Sequence, residues 1–326
     1  MKKKPKILVL IKPFNKTMPK HKAKYDMITA MEKYAEVKYW HKNGHIKTIL
    51  KSLNFKPDFI LHYDIAWNYA LAPMINGLGS ISIPKGCVVI DIHFNRKIRK
   101  DYFKNNKIDV IFSLTKSSFL KAFPTFKKKF KWWPFAINPS VFKDYKVKKN
   151  YDFLLMGQVY DHQKNSRTKT ITPIGKYPFR DEVLLKMRKV PGFVHRPHPG
   201  HHAKMNSLVN ANYAKEISKA HIFFTCGSRY KYPVLKYFEI PACRTLMLAE
   251  PVPDILELGF KDGENFVACN RDNFYEKAMY YLKNENEREL IRDNGYKFIH
   301  EKHTISVRAL EITSYIEELL KTNKNK

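Results

Sequence analysis

The sequence predicts an α/β fold made of two doubly wound units, each a parallel sheet with helices on both faces, set across a central cleft. Three observations carry that expectation. Short apolar runs alternate with helix-like segments from Ile7 to Leu114, the alternation breaks between Ser118 and Asn150, and it restarts at Tyr151. Strand–helix alternation at this spacing calls for parallel strands joined by crossovers. A chain of 326 residues accommodates two such units, each able to bury a core without disulfides or metals.

In the first half, Ile7–Ile11 is a continuous apolar run and reads as a buried strand. Lys20–Ala35 carries Tyr25, Ile28, Met31 and Ala35 at helical spacing. Val37–Trp40 is expected as a strand and His45–Leu53 as a short helix. Phe59–His62 follows the Pro57-Asp58 turn as a further strand. Val88–Ile92 and Val110–Leu114 are also expected as strands, with the polar helix Arg96–Asn105 between them.

From Ser118 the pattern changes. Lysines alternate with Phe126, Phe130, Trp132 and Trp133, and Pro134 to Pro139 reads as extended chain. The stretch from Phe119 to Trp133 has three readings: a face on anionic lipid, a nucleic-acid contact, or core aromatics with solvated lysines. The domain boundary is placed here. An acceptor-side domain is expected over 1–145 and a ligand-binding domain over 146–305. A final helix, 306–326, is expected to pack back toward the first domain.

In the second half, Tyr151–Met156 is expected as a strand ending at Gly157. Arg180–Val190 is a helix, Ile222–Thr225 a strand, Val234–Ala242 a helix, and Leu246–Ala249 and Phe266–Cys269 strands. Phe274–Lys283, Glu287–His300 and Ser306–Lys321 close the chain as helices. Sheets of this kind bind ligands beyond the C-terminal ends of their strands.

The chain holds 60 Lys+Arg against 30 Asp+Glu, a net charge of +30. Such a surface attracts polyanions: a phosphate-bearing polymer, an anionic membrane surface or DNA. Cys87, Cys226, Cys243 and Cys269 are widely spaced and lack a Cys-x-x-Cys pair, which points to reduced, buried thiols and a cytoplasmic setting. The apolar run after the N-terminal lysines is too short for a signal peptide. No transmembrane segment is expected, so membrane contact would be peripheral, at the inner face.

The stretch Tyr230–Glu250 offers the most chemistry. Lys236 and Glu239 are three residues apart, so they share a helix face. A carboxylate there can accept from both hydroxyls of a ribose. A helix N-terminus near Tyr232-Pro233, with Lys236, can hold a diphosphate. The alternative is an amphipathic helix with a solvated Lys–Glu pair.

From Tyr213 to Arg308 the chain resembles the CgeB-like (spore maturation) and, more broadly, the group-1 glycosyltransferases of the GT-B fold. The resemblance is carried by Tyr213-Ala214, by Lys236-Tyr237-Phe238-Glu239-Ile240-Pro241-Ala242-Cys243, and by Asp262 to Val267. It continues through Glu287-Arg288, Gly295, His303-Thr304 and Arg308. The linker Trp133 to Phe142 and the strand Tyr151 to Gly157 also fit. It implies two Rossmann-like domains and a nucleotide-sugar donor, UDP-sugar above all, held by the C-terminal domain. It also implies that Glu239 binds the ribose; Gly157, Arg180, His198, Tyr232 and Lys236 are expected as further donor contacts. No permanently bound cofactor and no metal are implied. The sequence departs from the pattern at Lys231, where relatives carry an acid, at Arg244, where they carry glycine, and at Lys12-Pro13-Phe14-Asn15, which replaces a glycine-rich loop.

Glycosyl transfer needs the departing diphosphate stabilised and, in an inverting enzyme, a base for the acceptor hydroxyl. Lys236 and Arg180 suit the first role, with Arg167 or Lys169 as substitutes. Asp91, at the end of its expected strand, suits the second with His93 beside it. His62 and Asp64 hold the equivalent place on the preceding strand. The run from Val194 to His202 is a phosphate clamp around Arg196 and His198, a metal site, or a polar loop with solvated histidines. Prolines 197 and 199 preclude a helical ligand pair. The functions compatible with these residues are a sugar transferase acting on a cell-surface, spore-coat or lipid-linked acceptor, a DNA-base glycosyltransferase, and a non-catalytic polyanion-binding protein.

Overall fold

The computed structural model describes residues 4–160, 175–200 and 207–324. It is mixed α/β and divides into two units, each with its own parallel sheet, as the alternation predicts. The first unit takes the chain up to Thr17, Lys24–Pro134, and the chain from Ile305 onward; the second takes Met18–Ala23 and Phe135–Thr304. The division falls after Pro134, within the stretch from Ser118 to Asn150 where the alternation breaks. Trp133 explains this: its ring is buried in the first unit, and its Nε1 donates to the Arg308 carbonyl at 2.9 Å.

The first unit contains β1 (Lys6–Leu10), β2 (Glu36–Trp40), β3 (Gly44–His45), β4 (Phe59–His62), β5 (Ile75–Asn76), β6 (Lys85–Val89), β7 (Val110–Ser113) and β8 (Phe130–Trp132). Its main sheet runs β2-β1-β4-β6-β7-β8, all parallel, while β3 and β5 form a separate pair. β1, β4, β6 and β7 are almost wholly apolar because helices cover both faces of the sheet.

Strand β8 lies within the Lys–aromatic stretch, where no strand was expected. Phe119, Phe123, Phe126 and Trp133 are core, with Phe103 5.1 Å from Phe126, while Lys121, Lys127, Lys128 and Lys131 are exposed. The aromatic–lysine alternation is the two faces of a core-packed segment.

The second unit contains β9 (Tyr151–Gly157), β10 (Phe193–Pro197), β11 (Ala220–Thr225), β12 (Leu246–Ala249) and β13 (Val267–Ala268), in the parallel order β10-β9-β11-β12-β13. Its core joins Phe153, Leu155, Phe179, Val183, Phe224, Leu248 and Phe274. Burying each such side chain contributes roughly 1.5–3 kcal/mol before chain entropy is charged against it.

Strand β10 corrects the reading of His195 and Arg196 as loop residues. It is an edge strand, where Pro197 is tolerated because one side of the strand is unpaired. Arg196 donates to Glu216 at 2.7 Å and to the Tyr151 hydroxyl at 3.0 Å.

All four cysteines are buried thiols. No helix among the described residues is long and apolar enough to cross a membrane. None of the described residues forms a group of three or more His, Cys, Asp or Glu that could hold a metal ion. Arg167, Lys169, His201 and His202 lie outside the described residues.

Candidate functional site

In the second unit, three segments distant in sequence converge at the C-terminal end of β9. Gly157 ends that strand at φ 123°, a conformation that side chains rarely adopt. A Cβ placed there would lie 3.2 Å from Arg180 Nη1 and 3.3 Å from Lys236 Nζ. Glycine thus lets two cations approach the same backbone.

Arg180 enters from the helix Pro178–Met187, whose first-turn proline is preset for helical φ. Its guanidinium is 3% exposed and stacks 4.3 Å over the Tyr177 ring. Nη2 makes a long 3.4 Å hydrogen bond to the Cys226 carbonyl, and the buried Nε has no hydrogen-bond partner among the described residues. A buried guanidinium N–H left unpaired is costly, and an oxyanion would relieve it.

Lys236 opens the helix Lys236–Ala242 and stands 5.9 Å from the Tyr213 ring centre. Burial, reinforced by the Arg180 charge and opposed by Glu239, lowers its pKa to about 8. Glu239, one turn along the helix, is 7% exposed. Tyr213, from the helix Asn210–Ser218, is pushed well up, by burial first and then by the Glu239 charge. Its hydroxyl is buried beside the Glu239 carboxylate. The arrangement is two cations against one carboxylate, with a guanidinium N–H that has no partner among the described residues and a tyrosine hydroxyl beside the carboxylate. It suits a ligand carrying more than one negative oxygen beside neutral hydroxyls.

The helix bearing Lys236 and Glu239 is clamped from behind. Gly295 lets the helix Glu285–Lys302 approach so closely that an added Cβ would lie 2.6 Å from the Asn265 carbonyl and 3.3 Å from Pro241 Cβ. His300 Nε2 lies 3.1 Å from the Ala242 carbonyl. Arg244 occupies a left-handed position, φ 54°, just past the helix, where glycine would be unstrained. Its guanidinium offsets that cost by pairing with Asp293 at 2.8 Å and Asp144 at 3.1 Å. The Asp293 carboxyl is consequently held well below the usual range.

The other sequence-predicted residues fall elsewhere. The helix begins at Lys236, so Tyr232 is not at its N-terminus. Tyr232 lies in the preceding loop, stacked 5.3 Å from Tyr230, with its N–H on the Gly227 carbonyl. His198 follows β10, pairs with Lys20, and accepts from the Gly200 N–H at 3.0 Å.

Asp91 and His93 belong to the first unit. The strand expected to end beside them stops at Val89, and Asp91 lies in the loop beyond. Asp64 explains the early stop: its Oδ2 accepts the Ile90 N–H at 2.7 Å, taking that group out of the ladder. Asp91 is half-buried, its carbonyl accepting from Arg99 at 2.7 Å, and His93 is exposed. His62 is a structural group: its ring bridges the Tyr102 hydroxyl at 2.6 Å and the Pro73 carbonyl at 2.9 Å, and burial lowers its pKa to about 4. Asp64 is consumed by a buried ion pair with Arg99 at 2.8 Å.

Tyr213 and Tyr177 escaped the sequence reading as site residues. Tyr213 entered only as part of the family resemblance, and Tyr177, just before its helix, carries no signal until that helix is docked.

Residues 145–314 match the model of a family described as glycosyl transferase-like. Comparison with curated proteins finds no match. Among solved structures, the chain is similar to Anabaena Alr3699/HepE in complex with UDP and glucose, at 10% identity and TM-score 0.58, covering 96% of this chain and 100% of that one. It is similar to sucrose-phosphate synthase from Thermosynechococcus elongatus, at 9% identity and TM-score 0.62, covering 98% and 100%. It also resembles an alpha-glucosyltransferase in complex with UDP-glucose and DNA containing an abasic site, at 11% identity and TM-score 0.60, covering 96% and 100%. At these identities the likeness establishes the fold: mixed α/β with two Rossmann-like units, as in GT-B structures.

Proposed function

The chain belongs to the glycosyl transferase-like, group-1 family, and from that premise we propose that it moves a sugar from a UDP-sugar to a cell-surface, spore-coat or lipid-linked acceptor, as a member of the CgeB-like branch. The observation that carries the reading is the meeting of Arg180 and Lys236 at Gly157, with Glu239 one turn away. Arg180 and Lys236 bind the diphosphate and hold the charge that develops as it departs. Glu239 accepts from the ribose hydroxyls. Glucose and UDP in a structural neighbour agree with this donor class.

A thermal-shift titration with UDP and UDP-sugars tests it, since a ligand bound only by the native state raises Tm by mass action. UDP is expected to raise Tm, and Glu239→Gln to weaken UDP binding by about ten- to a hundred-fold through loss of a charged acceptor. Failure of every nucleotide to shift Tm would overturn the donor assignment.

The lowered pKa of Lys236 sets a pH dependence. Below about pH 8 the ammonium is charged and binding is flat. Above it the free protein sheds the Lys236 proton, which the bound diphosphate holds in place, so binding takes up a proton and weakens by up to about ten-fold per pH unit. In the ligand-free protein the sign for stability is opposite: the unfolded state binds the proton better, so the cost of burying Lys236 is full below pH 8 and fades as pH rises toward 10.5. Calorimetric titration with UDP from pH 7 to 9.5 should show the slope, and Lys236→Met should flatten it.

Asp91 is the proposed base for the acceptor hydroxyl, oriented by its backbone bond to Arg99. Asp91→Asn is expected to lower sugar transfer by about 10²- to 10⁴-fold while leaving UDP binding unchanged. Unchanged transfer would remove it from the mechanism.

A further inference from the structure

Beyond β4, three consecutive residues that are not glycine, Trp67, Asn68 and Tyr69, adopt left-handed backbone at φ 55°, 51° and 58°. Each position is strained for a residue with a side chain, and side chains seldom take this conformation in succession. The surroundings impose it. Asp64 Oδ1 accepts the Ala66 N–H at 3.0 Å, Tyr69 N–H reaches the Ile65 carbonyl at 3.2 Å, and Lys12 Nζ donates to the Tyr69 carbonyl at 2.7 Å. The Asp64–Arg99 pair, 1% exposed on both sides, also holds the Ile90 N–H and the Asp91 carbonyl. One buried ion pair thus orients two loops at the C-terminal edge of the sheet: the left-handed turn and the loop of Asp91.

Strain over-determined in this way persists where it places a side chain for use. Trp67 is half-buried, with the Lys24 ammonium 5.6 Å over its ring, and Asn68 is exposed. Asn15, on the loop after β1 at the same edge, keeps a buried side-chain oxygen without a partner among the described residues. The Phe14 ring, 5.4 Å from Tyr63, packs that loop against the chain leaving β4.

We propose that this turn is a sugar-stacking platform for a carbohydrate acceptor, with Trp67 under the apolar face of a pyranose and Asn68 as hydrogen-bond partner to its hydroxyls. The C–H face of a pyranose suits the electron-rich face of an indole. An amide supplies both donor and acceptor to hydroxyls. A ring held by a fixed backbone loses little freedom on binding. The inference rests on the sugar-transfer reading above and deepens it by naming the acceptor's chemical class.

The test is calorimetry and saturation-transfer NMR with maltose, cellobiose and N,N′-diacetylchitobiose, with a short DNA duplex as the other arm. It is run on the full chain and on Trp67→Ala and Trp67→Phe, with the UDP-induced Tm shift followed in each. At least one disaccharide should bind the full chain, at least ten-fold more weakly after Trp67→Ala and only a few-fold more weakly after Trp67→Phe, with the UDP shift unchanged. Disaccharide binding that ignores Trp67, or absence of binding beside an intact UDP shift, would overturn the platform alone. Trp67-dependent binding of DNA only would replace carbohydrate by nucleic acid. Loss of the UDP shift in the full chain would bring down the donor reading, and the platform with it.

Discussion

Arg180→Ala is expected to lower kcat/KM for the nucleotide-sugar by about a hundred- to a thousand-fold, the usual consequence of removing one preorganised stabiliser of departing charge. The guanidinium is nearly fully buried, stacked on Tyr177 and aimed at Gly157, so its orientation is set before the ligand arrives. Arg180→Lys should recover only part of the loss, because a point charge on a flexible stem reproduces neither the stacking nor the paired N–H donors. A second readout separates this from misfolding. Arg180 is a like charge that helps depress Lys236, so its removal should move the alkaline fall in UDP binding to above pH 8. Steady-state kinetics and calorimetry across pH check both effects; an unchanged kcat/KM would exclude Arg180 from the site.

Asp64→Ala should cost the fold about 3–5 kcal/mol, the range for breaking a buried ion pair from one side. Arg99 would stay buried without its carboxylate, and the Ala66 and Ile90 N–H groups would lose their acceptor. Urea unfolding should show a lower midpoint. In the folded fraction, sugar transfer should fall more than UDP binding, since the loops that lose their anchor belong to the first unit and the residues proposed to hold the donor belong to the second. An unfolding free energy within about 1 kcal/mol of the parent would contradict the assigned role of the pair.

Much of the fold was legible because a buried parallel strand needs an apolar run and an amphipathic helix needs a 3.6-residue period. Phe59–His62, Leu246–Ala249 and the helix Phe274–Lys283 lie where those patterns put them. β10 went unseen because an edge strand carrying His195, Arg196 and Pro197 has only half an apolar face to show. β8 was obscured by lysines that alternate with core aromatics. The strand before Asp91 looked longer than it is because hydrophobicity continues through Ile90 and Ile92 after the ladder has ended.

By itself the sequence determined two parallel α/β units, a basic surface and the shared face of Lys236 and Glu239, since all of these follow from composition or short-range period. Only the tertiary structure decided that Arg180 and Lys236 meet at Gly157, that Tyr213 stands beside them, and that Asp64 is spent on Arg99. Those meetings join residues from separate strands and helices. They depend on strand order and on how each helix docks across its sheet, and neither leaves a periodic trace in the chain.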